Sequence, residues 1–441
     1  MQANDSADLT RVGPGTPMGT LMRQYWLPAT MSSELRADGD PLRLMLLGEK
    51  LVAFRDSAGR VGVLDQRCPH RCASLFMGRN EDNGIRCVYH GWKFDVDGRC
   101  LDMPNVPAQQ DFKDTVRAKA YRTVERNGLV WVYMGDKPEP PPLPQIEANL
   151  MPGSEIWCLQ RECNWLQALE GDIDTSHVGF LHLGSLTPDD LPADHPMRPT
   201  LLDRAPTYEV MNQPWGTMYG GCRPNDNGLT SWRVAHFMFP FWSQTPNGRF
   251  ATRAIARAWV PMDDEHVMLF DITGGVDDGN PAYNSTRRSG EPLFEKFSYE
   301  PASTDWFGRW RCADDVRNDW GMDRDSQRSG QHFTGIANIT IQDQAVTESM
   351  GPVTDHAWEH LSPSDQMIAR TRRNLLQAAR ALRDQATAPP GADQPEVYFG
   401  ARAGSFLHDP AQSLETAYQA QLAQAQRWPA PANDPALATT P

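Results

Sequence analysis

Short apolar runs separated by glycine-containing turns open the patterned part of the chain. PLRLMLLGEKLVAFRDSAGRVGVLD, beginning at Pro41, predicts three strands near 43–47, 50–55 and 60–65 in a β meander. Before it, LMRQYWLPA reads as a short helix stopped ahead of Pro28. After it, AYRTVERNGLVWVYMGD supplies further strands, and KPEPPPLPQ is a proline-rich, extended connector. The connector divides the chain into a first domain, 1–137, and a second, 138–430. The tail, 431–441, has no pattern and is expected to be disordered. In the second domain the pattern predicts a strand at 155–163, a helix at 164–183 and a polar, proline-interrupted loop at 184–204. Strands follow at 207–211, 217–222, 230–239, 249–260 and 266–273, which together make an antiparallel sheet. The polar stretch 274–330 is too long for a turn and reads as a lid-like excursion or a surface insertion. Two helices close the domain, ITIQDQAVTESMG and SPSDQMIARTRRNLLQAARALRDQA. Ser362 is the cap of the second, and its apolar stripe runs through Met367, Ile368, Leu375, Leu376 and Ala379.

Composition narrows the class. A chain of 441 residues exceeds the usual single-domain size, and 40% hydrophobic residues, 22% charged residues and 14 tryptophans describe a folded protein. No apolar run approaches a membrane span and MQANDSADLT lacks the features of a signal peptide, so a cytoplasmic protein is expected. Eight cysteines in this length do not form a secreted disulfide framework and read as reduced thiols or metal ligands. A net charge of −14 argues against nucleic acid or an anionic membrane as partner, and an anionic substrate would need a local cationic pocket.

Two stretches carry candidate chemistry. NWLQALEGDIDTSHVGFLH gathers His177 and His182, nitrogen donors suited to divalent iron, with Asp174 three residues before His177. Five residues rotate a helix by roughly 140°, so both imidazoles can face one ion only if the helix is distorted, and the distortion is expected around Gly179. An amphipathic helix with a wet polar face is the competing reading. A third ligand would have to be a distant carboxylate. Asp343 is the best candidate, as the only charge in Ile339 to Thr347, against the alternative of a helix-N-terminal Asp favoured by the dipole. Upstream, CPHRC and CVYHGW give Cys68-x-His70 and Cys87-x2-His90, each pair in a loop between strands. Two thiolates and two imidazoles can hold a tetrahedral zinc. They can also split between the irons of a Rieske 2Fe-2S cluster, and the order of the ligands differs from that of zinc fingers.

With both boxes matching residue for residue, the chain resembles the oxygenase (alpha) subunits of Rieske non-haem iron aromatic-ring-hydroxylating oxygenases, in the phthalate dioxygenase-like branch. The likeness runs from RVGPGTPMG through NDWGMDRDSQR and EHLSPSDQMIARTRRNLL. It implies an α+β chain, with an all-β Rieske domain joined to a helix-grip catalytic domain that has an antiparallel sheet and helices. Such chains assemble head to tail as a homotrimer or a trimer-based hexamer. It implies cluster ligands Cys68, His70, Cys87 and His90, a mononuclear non-haem Fe(II) on His177, His182 and Asp343, and Asp174 as the bridge between the cluster of one subunit and the iron of its neighbour. Glu170 and Asp172 are left as supporting or surface acids without a role. Tyr89 stands where high-potential Rieske proteins carry an extra cysteine, so a low-potential cluster is expected and Cys72 should form no disulfide. His356 replaces an arginine of the phthalate-type pattern.

The reaction implied is O2-dependent hydroxylation of a small aromatic compound, an aromatic carboxylate in the phthalate-like case. Electrons come from a separate NAD(P)H-dependent reductase of flavin/ferredoxin type, because the chain has no Gly-rich dinucleotide fingerprint. O- or N-dealkylation of aryl ethers or anilides uses the same iron site and is the alternative. A Rieske electron-transfer protein or a zinc-stabilised binding module would leave His177, His182 and Asp343 idle. For an acid, an arginine fork is required. Arg249, Arg253 and Arg257 share one strand face and read as a solvated arginine row. Arg233 instead shares its face with Ala235, Phe237 and Phe239, where a lone guanidinium needs an anionic partner, either an internal acid or a substrate carboxylate.

Overall fold

The computed structural model describes the chain except residues 175, 186, 191–197, 225–227, 248, 276–296 and 429–441. The expected tail at 431–441 and residues 276–296 of the excursion at 274–330 lie outside the described residues, and the rest of that stretch includes a 3₁₀ segment at Val316–Gly321 and a short helix at Arg324–Ser329.

The meander forms as the alternation of apolar runs and turns requires. Strands β2 (Leu42–Leu46), β3 (Glu49–Arg55) and β4 (Val61–Asp65) pair in succession. They join β1 (Trp26–Met31), β9 (Ala120–Arg126) and β10 (Leu129–Tyr133) in a six-stranded antiparallel sheet of order β1-β10-β9-β4-β3-β2. The helix expected up to Pro28 is a correction. The helix is Pro17–Met22, with Thr16 accepting from Gly19 N, and WLPATM is strand β1. Trp26 and Leu27 are buried against β10, and the pairing register slips between Pro28 and Thr30, which accommodates a residue with no N–H to donate. Four short strands, β5 (Arg79–Glu81), β6 (Gly84–Arg86), β7 (Lys93–Phe94) and β8 (Cys100–Asp102), make a second small sheet.

Beyond the proline-rich connector lies an eight-stranded antiparallel sheet. Its strands are β11 (Glu155–Arg161), β12 (Thr207–Gln213), β13 (Gly216–Pro224), β14 (Thr230–Met238), β15 (Trp242–Gln244), β16 (Arg253–Pro261), β17 (Val267–Gly275) and β18 (Gly404–His408). The order is β11-β17-β16-β15-β14-β13-β12, with β18 paired to β14. Strands β15 and β18 are too short to show as periodic runs. Helices Ile339–Ser349, capped by Asn338, and Gln366–Gln385, preceded by a turn that Ser362 caps, occupy the expected positions. One apolar core runs through both parts of the chain: Trp131 of β10 stacks on Trp242 of β15 at 5.8 Å between ring centroids. No helix among the described residues is long and apolar enough to cross a membrane.

The helix that precedes the candidate iron ligands is Trp165–Ile173, with Asn164 accepting from Leu166 N. It is pinned by the two acids left without a role. Asp172 accepts from Ser243 Oγ at 2.7 Å, Trp259 Nε1 at 2.8 Å and Arg257 Nη1 at 2.7 Å. Arg257 also meets Asp271 at 2.6 Å, so it belongs to a largely buried ion-pair network and not to a solvated arginine row. Glu170, buried, receives both Nε and Nη2 of Arg372 at 2.6 Å, the bidentate geometry of a strong guanidinium–carboxylate pair.

Candidate metal centres

Two turns of the same construction present the first set of ligands. Cys72 N donates to Cys68 O and Gly91 N to Cys87 O, both at 2.9 Å, while Cys68 N and Cys87 N are held by Ala73 O and Trp92 O. Each turn buries its cysteine and brings its histidine to the surface. The imidazoles of His70 and His90 stand 4.4 Å apart between centroids, and Trp92, its Nε1 bonded to Asn105, stacks on His70 at 4.3 Å. Burial pushes the Cys68 thiol up to about 12, and the adjacent Cys87 adds to it. Two buried thiols set against each other, and His90 Nδ1 buried without a hydrogen bond, are groups whose natural completion is a metal. These four residues fit a Rieske cluster and would hold it with two thiolates and two imidazoles. Cys72 is a free, exposed thiol.

The second set is assembled across the fold. The helix Trp165–Ile173 stops at Asp174, whose backbone is extended, and a single turn of 3₁₀ helix follows at His177–Gly179. The break therefore precedes His177 and does not fall at Gly179 within a continuous helix. Its cause is local. Asp174 Oδ1 accepts from Ser176 N at 2.7 Å and Ser176 Oγ at 2.8 Å, and a short acidic side chain that captures a nearby N–H competes with the helical ladder. The new direction lets both imidazoles converge on Asp343, from helix Ile339–Ser349. Asp343 Oδ1 lies 3.7 Å from His177 Nε2 and 3.4 Å from His182 Nε2. The three ligand atoms fall within 4.8 Å of one another. Two imidazoles and one carboxylate fit a mononuclear iron.

The surroundings differ between the histidines. Burial pushes His177 down, but the facing carboxylates of Asp174 and Asp343 outweigh it and the imidazole is raised. Asp174 Oδ2 sits 3.6 Å from His177 Nδ1. Burial lowers His182, and neighbouring His177 and Arg233 act in the same direction. Arg233, on β14, is 2% exposed, and its Nε and Nη1 have no hydrogen-bond partner. Burial and the nearby Arg223 lower its pKa to about 10. Arg223, on β13, is also buried and carries an unpartnered Nη1. Because Arg233 pairs with Gly221 in the register, Arg223 lies one diagonal step away on the same face. Arg223 and Gln342, which bonds His182 Nδ1, are absent from the sequence reading. Arg223 becomes visible only once the β13–β14 register is known, whereas Gln342 could have been flagged by its adjacency to Asp343. His356 is buried and bonded to Ser6.

Comparison with known proteins bears on the family of the chain. Residues 25–116 match the Rieske [2Fe-2S] domain and residues 132–398 the family described as "LigXa C-terminal domain like". The chain is 50% identical to the 3-chlorobenzoate-3,4-dioxygenase oxygenase subunit of Comamonas testosteroni, over 95% of this chain and 98% of that protein. It is 36% identical to the phthalate 4,5-dioxygenase oxygenase subunit of Pseudomonas putida, over 85% of each. Among solved structures, NdmB of Pseudomonas putida CBB5 shares the fold with a TM-score of 0.56 at 18% identity, over 85% of this chain and 96% of that one. Because these likenesses span the cluster loops and the catalytic sheet in a single chain, the protein belongs to the Rieske non-haem iron oxygenases, as an oxygenase component that carries a 2Fe-2S cluster and a mononuclear iron.

Proposed function

We propose that this oxygenase hydroxylates an aromatic carboxylate, with O2 as co-substrate and electrons delivered by an NAD(P)H-dependent reductase of flavin/ferredoxin type. The observation that carries the substrate class is Arg233. A guanidinium 2% exposed, with two nitrogens lacking a hydrogen-bond partner, is costly unless an anion completes it. It lies close enough to His182 for its charge to lower that imidazole's pKa. The names of the 3-chlorobenzoate and phthalate relatives are consistent with an acid. When bound, the cluster supplies single electrons and the mononuclear iron supplies O2 activation. The chain's own residues do the rest. Cys68, His70, Cys87 and His90 hold the cluster, and His177, His182 and Asp343 hold the iron. Arg233, with Arg223 beside it, takes the substrate carboxylate and so fixes which ring edge faces the iron. Buried Ala235 and Phe237 on β14 help keep the surroundings dry, which strengthens that ion pair. Asp174, beside His177, is the positioning carboxylate through which the cluster of a neighbouring subunit communicates with this site.

In this reading the protein is cytoplasmic and assembles head to tail as a homotrimer or a trimer-based hexamer, with the Rieske domain in 1–137 and the catalytic domain in 138–430. The test is a product assay with reductase and NADH across aromatic acids, neutral aryl ethers and anilides. Turnover of an acid, with little of its neutral amide, supports the reading. Turnover confined to neutral ethers or anilides would replace it with dealkylation.

A further inference from the structure

Gln342 stands next to Asp343 in the sequence but faces His182, and its contacts determine which way its amide points. The residue is wholly buried. Three groups surround the amide: the carbonyl of Ile336 at 2.5 Å, Ser185 Oγ at 2.8 Å and His182 Nδ1 at 2.7 Å. A peptide carbonyl can only accept, so the group facing Ile336 O is the NH2. The reverse orientation would set two oxygens against each other at that distance. Ser185 is consistent with this, because its hydroxyl donates to Ala337 O at 3.2 Å and its oxygen lies 2.8 Å from the amide nitrogen, where it accepts the second amide hydrogen. Both hydrogens of the amide are then used, and Oε1 is left for His182. An amide oxygen is an acceptor, so His182 must donate from Nδ1. The imidazole's lone pair is therefore on Nε2, the nitrogen that faces Asp343 at 3.4 Å.

We propose that Gln342 is a positioning residue that fixes His182 in its Nδ1–H tautomer and aims Nε2 at the mononuclear iron. This rests on His182 being a ligand, as read above. Neutral hydrogen-bond partners of ligating imidazoles orient the ring, and their loss typically weakens metal binding about 10–100-fold. His177 is served differently, by the carboxylate of Asp174, so the two ligands differ in the charge of the group behind them. The chain from Ile336 O through Gln342 to His182 also ties the start of helix Ile339–Ser349 to the segment after the 3₁₀ turn, the two pieces of chain that supply the site.

The experiment measures Fe(II) affinity of the cluster-containing protein by competition with a chelator, using the visible Rieske spectrum as an internal measure of folding. Q342L removes both acceptor and donors, and Q342E keeps an acceptor for His182 and, with its second oxygen protonated towards Ile336 O, one donor where the amide has two. Expected are a loss of about 10–100-fold for Q342L and affinity within about 3-fold of the unmodified protein for Q342E, both with an unchanged Rieske spectrum. Equal loss in the two variants would assign Gln342 to holding Ile336 and Ser185 and overturn the proposal, as would unaltered affinity in Q342L. H182A separates this from the ligand assignment. If H182A binds Fe(II) as tightly as the unmodified protein, the assignment itself fails. If H182A loses iron and Q342L does not, only the positioning role fails. Should Q342L not fold, the iron-loaded unmodified protein decides by crystallography: His182 bonded to iron through Nε2 agrees, and bonding through Nδ1 overturns the proposal.

Discussion

At the scale of residues, the substrate claim is concentrated in one guanidinium. Charge-assisted hydrogen bonds are worth about 1.5–3 kcal/mol, so Arg233→Met should raise KM for an aromatic acid roughly 10–100-fold and change KM for a neutral analogue far less. Steady-state kinetics on the pair checks this, and equal effects on both would make Arg233 structural. The residue was legible in the sequence because a strand's period of two places it among Ala235, Phe237 and Phe239 without an acid nearby in the chain. Its neighbour Arg223 was not, because which residues of β13 lie beside Arg233 depends on a register that no local pattern specifies. The cysteines and histidines were easiest of all. Cys68-x-His70 and Cys87-x2-His90 put each pair of candidate ligands in one tight turn, so adjacency in sequence is adjacency in space.

At the scale of elements, the helix Trp165–Ile173 has to deliver His177 to a fixed point, and buried ion pairs anchor it. Removing one partner of such a pair leaves a charge without compensation, at a cost of about 3–5 kcal/mol. Asp172→Ala should therefore lower the melting temperature by several degrees, since Ser243 Oγ and one side of Arg257 lose their acceptor and Trp259 Nε1 keeps only its longer bond to Ser243 Oγ at 3.2 Å. Differential scanning calorimetry tests it, and an unchanged melting temperature would mean that Asp271 alone satisfies Arg257. The existence of this helix and of the strands around it follows from their periodicity. The point where it ends does not, since Asp174 stops it by binding Ser176 in a contact that propensity does not register. Arg257 was misread for a related reason: its acids, Asp172 and Asp271, come from a helix and from β17, and the strand's own alternation gives no sign of either.

At the scale of the whole molecule, the two metal centres must exchange electrons, and the proposed route crosses between subunits through Asp174. Asp174→Asn keeps the bond from Ser176 N while removing the charge beside His177, so both metals should load normally. Reoxidation of the reduced cluster in a single turnover should slow by at least about 10-fold, the scale of effect that follows loss of a group behind a ligating imidazole. A rate equal to that of the unmodified protein would remove Asp174 from the route. Assembly belongs to the same claim: the species that turns over should elute as a trimer or a multiple of one, and an active monomer would show that transfer occurs within a chain.

The central claim is that this chain uses O2 to oxidise an aromatic carboxylate. It is tested most directly by supplying ¹⁸O2 to the iron-loaded oxygenase with a reductase, NADH and a benzoate- or phthalate-type acid, and weighing the product. The account predicts ¹⁸O in a hydroxylated product that retains the carboxylate. NADH consumed with no ¹⁸O in any product of the aromatic acids, while a neutral aryl ether or anilide is oxidised under the same conditions, would contradict it.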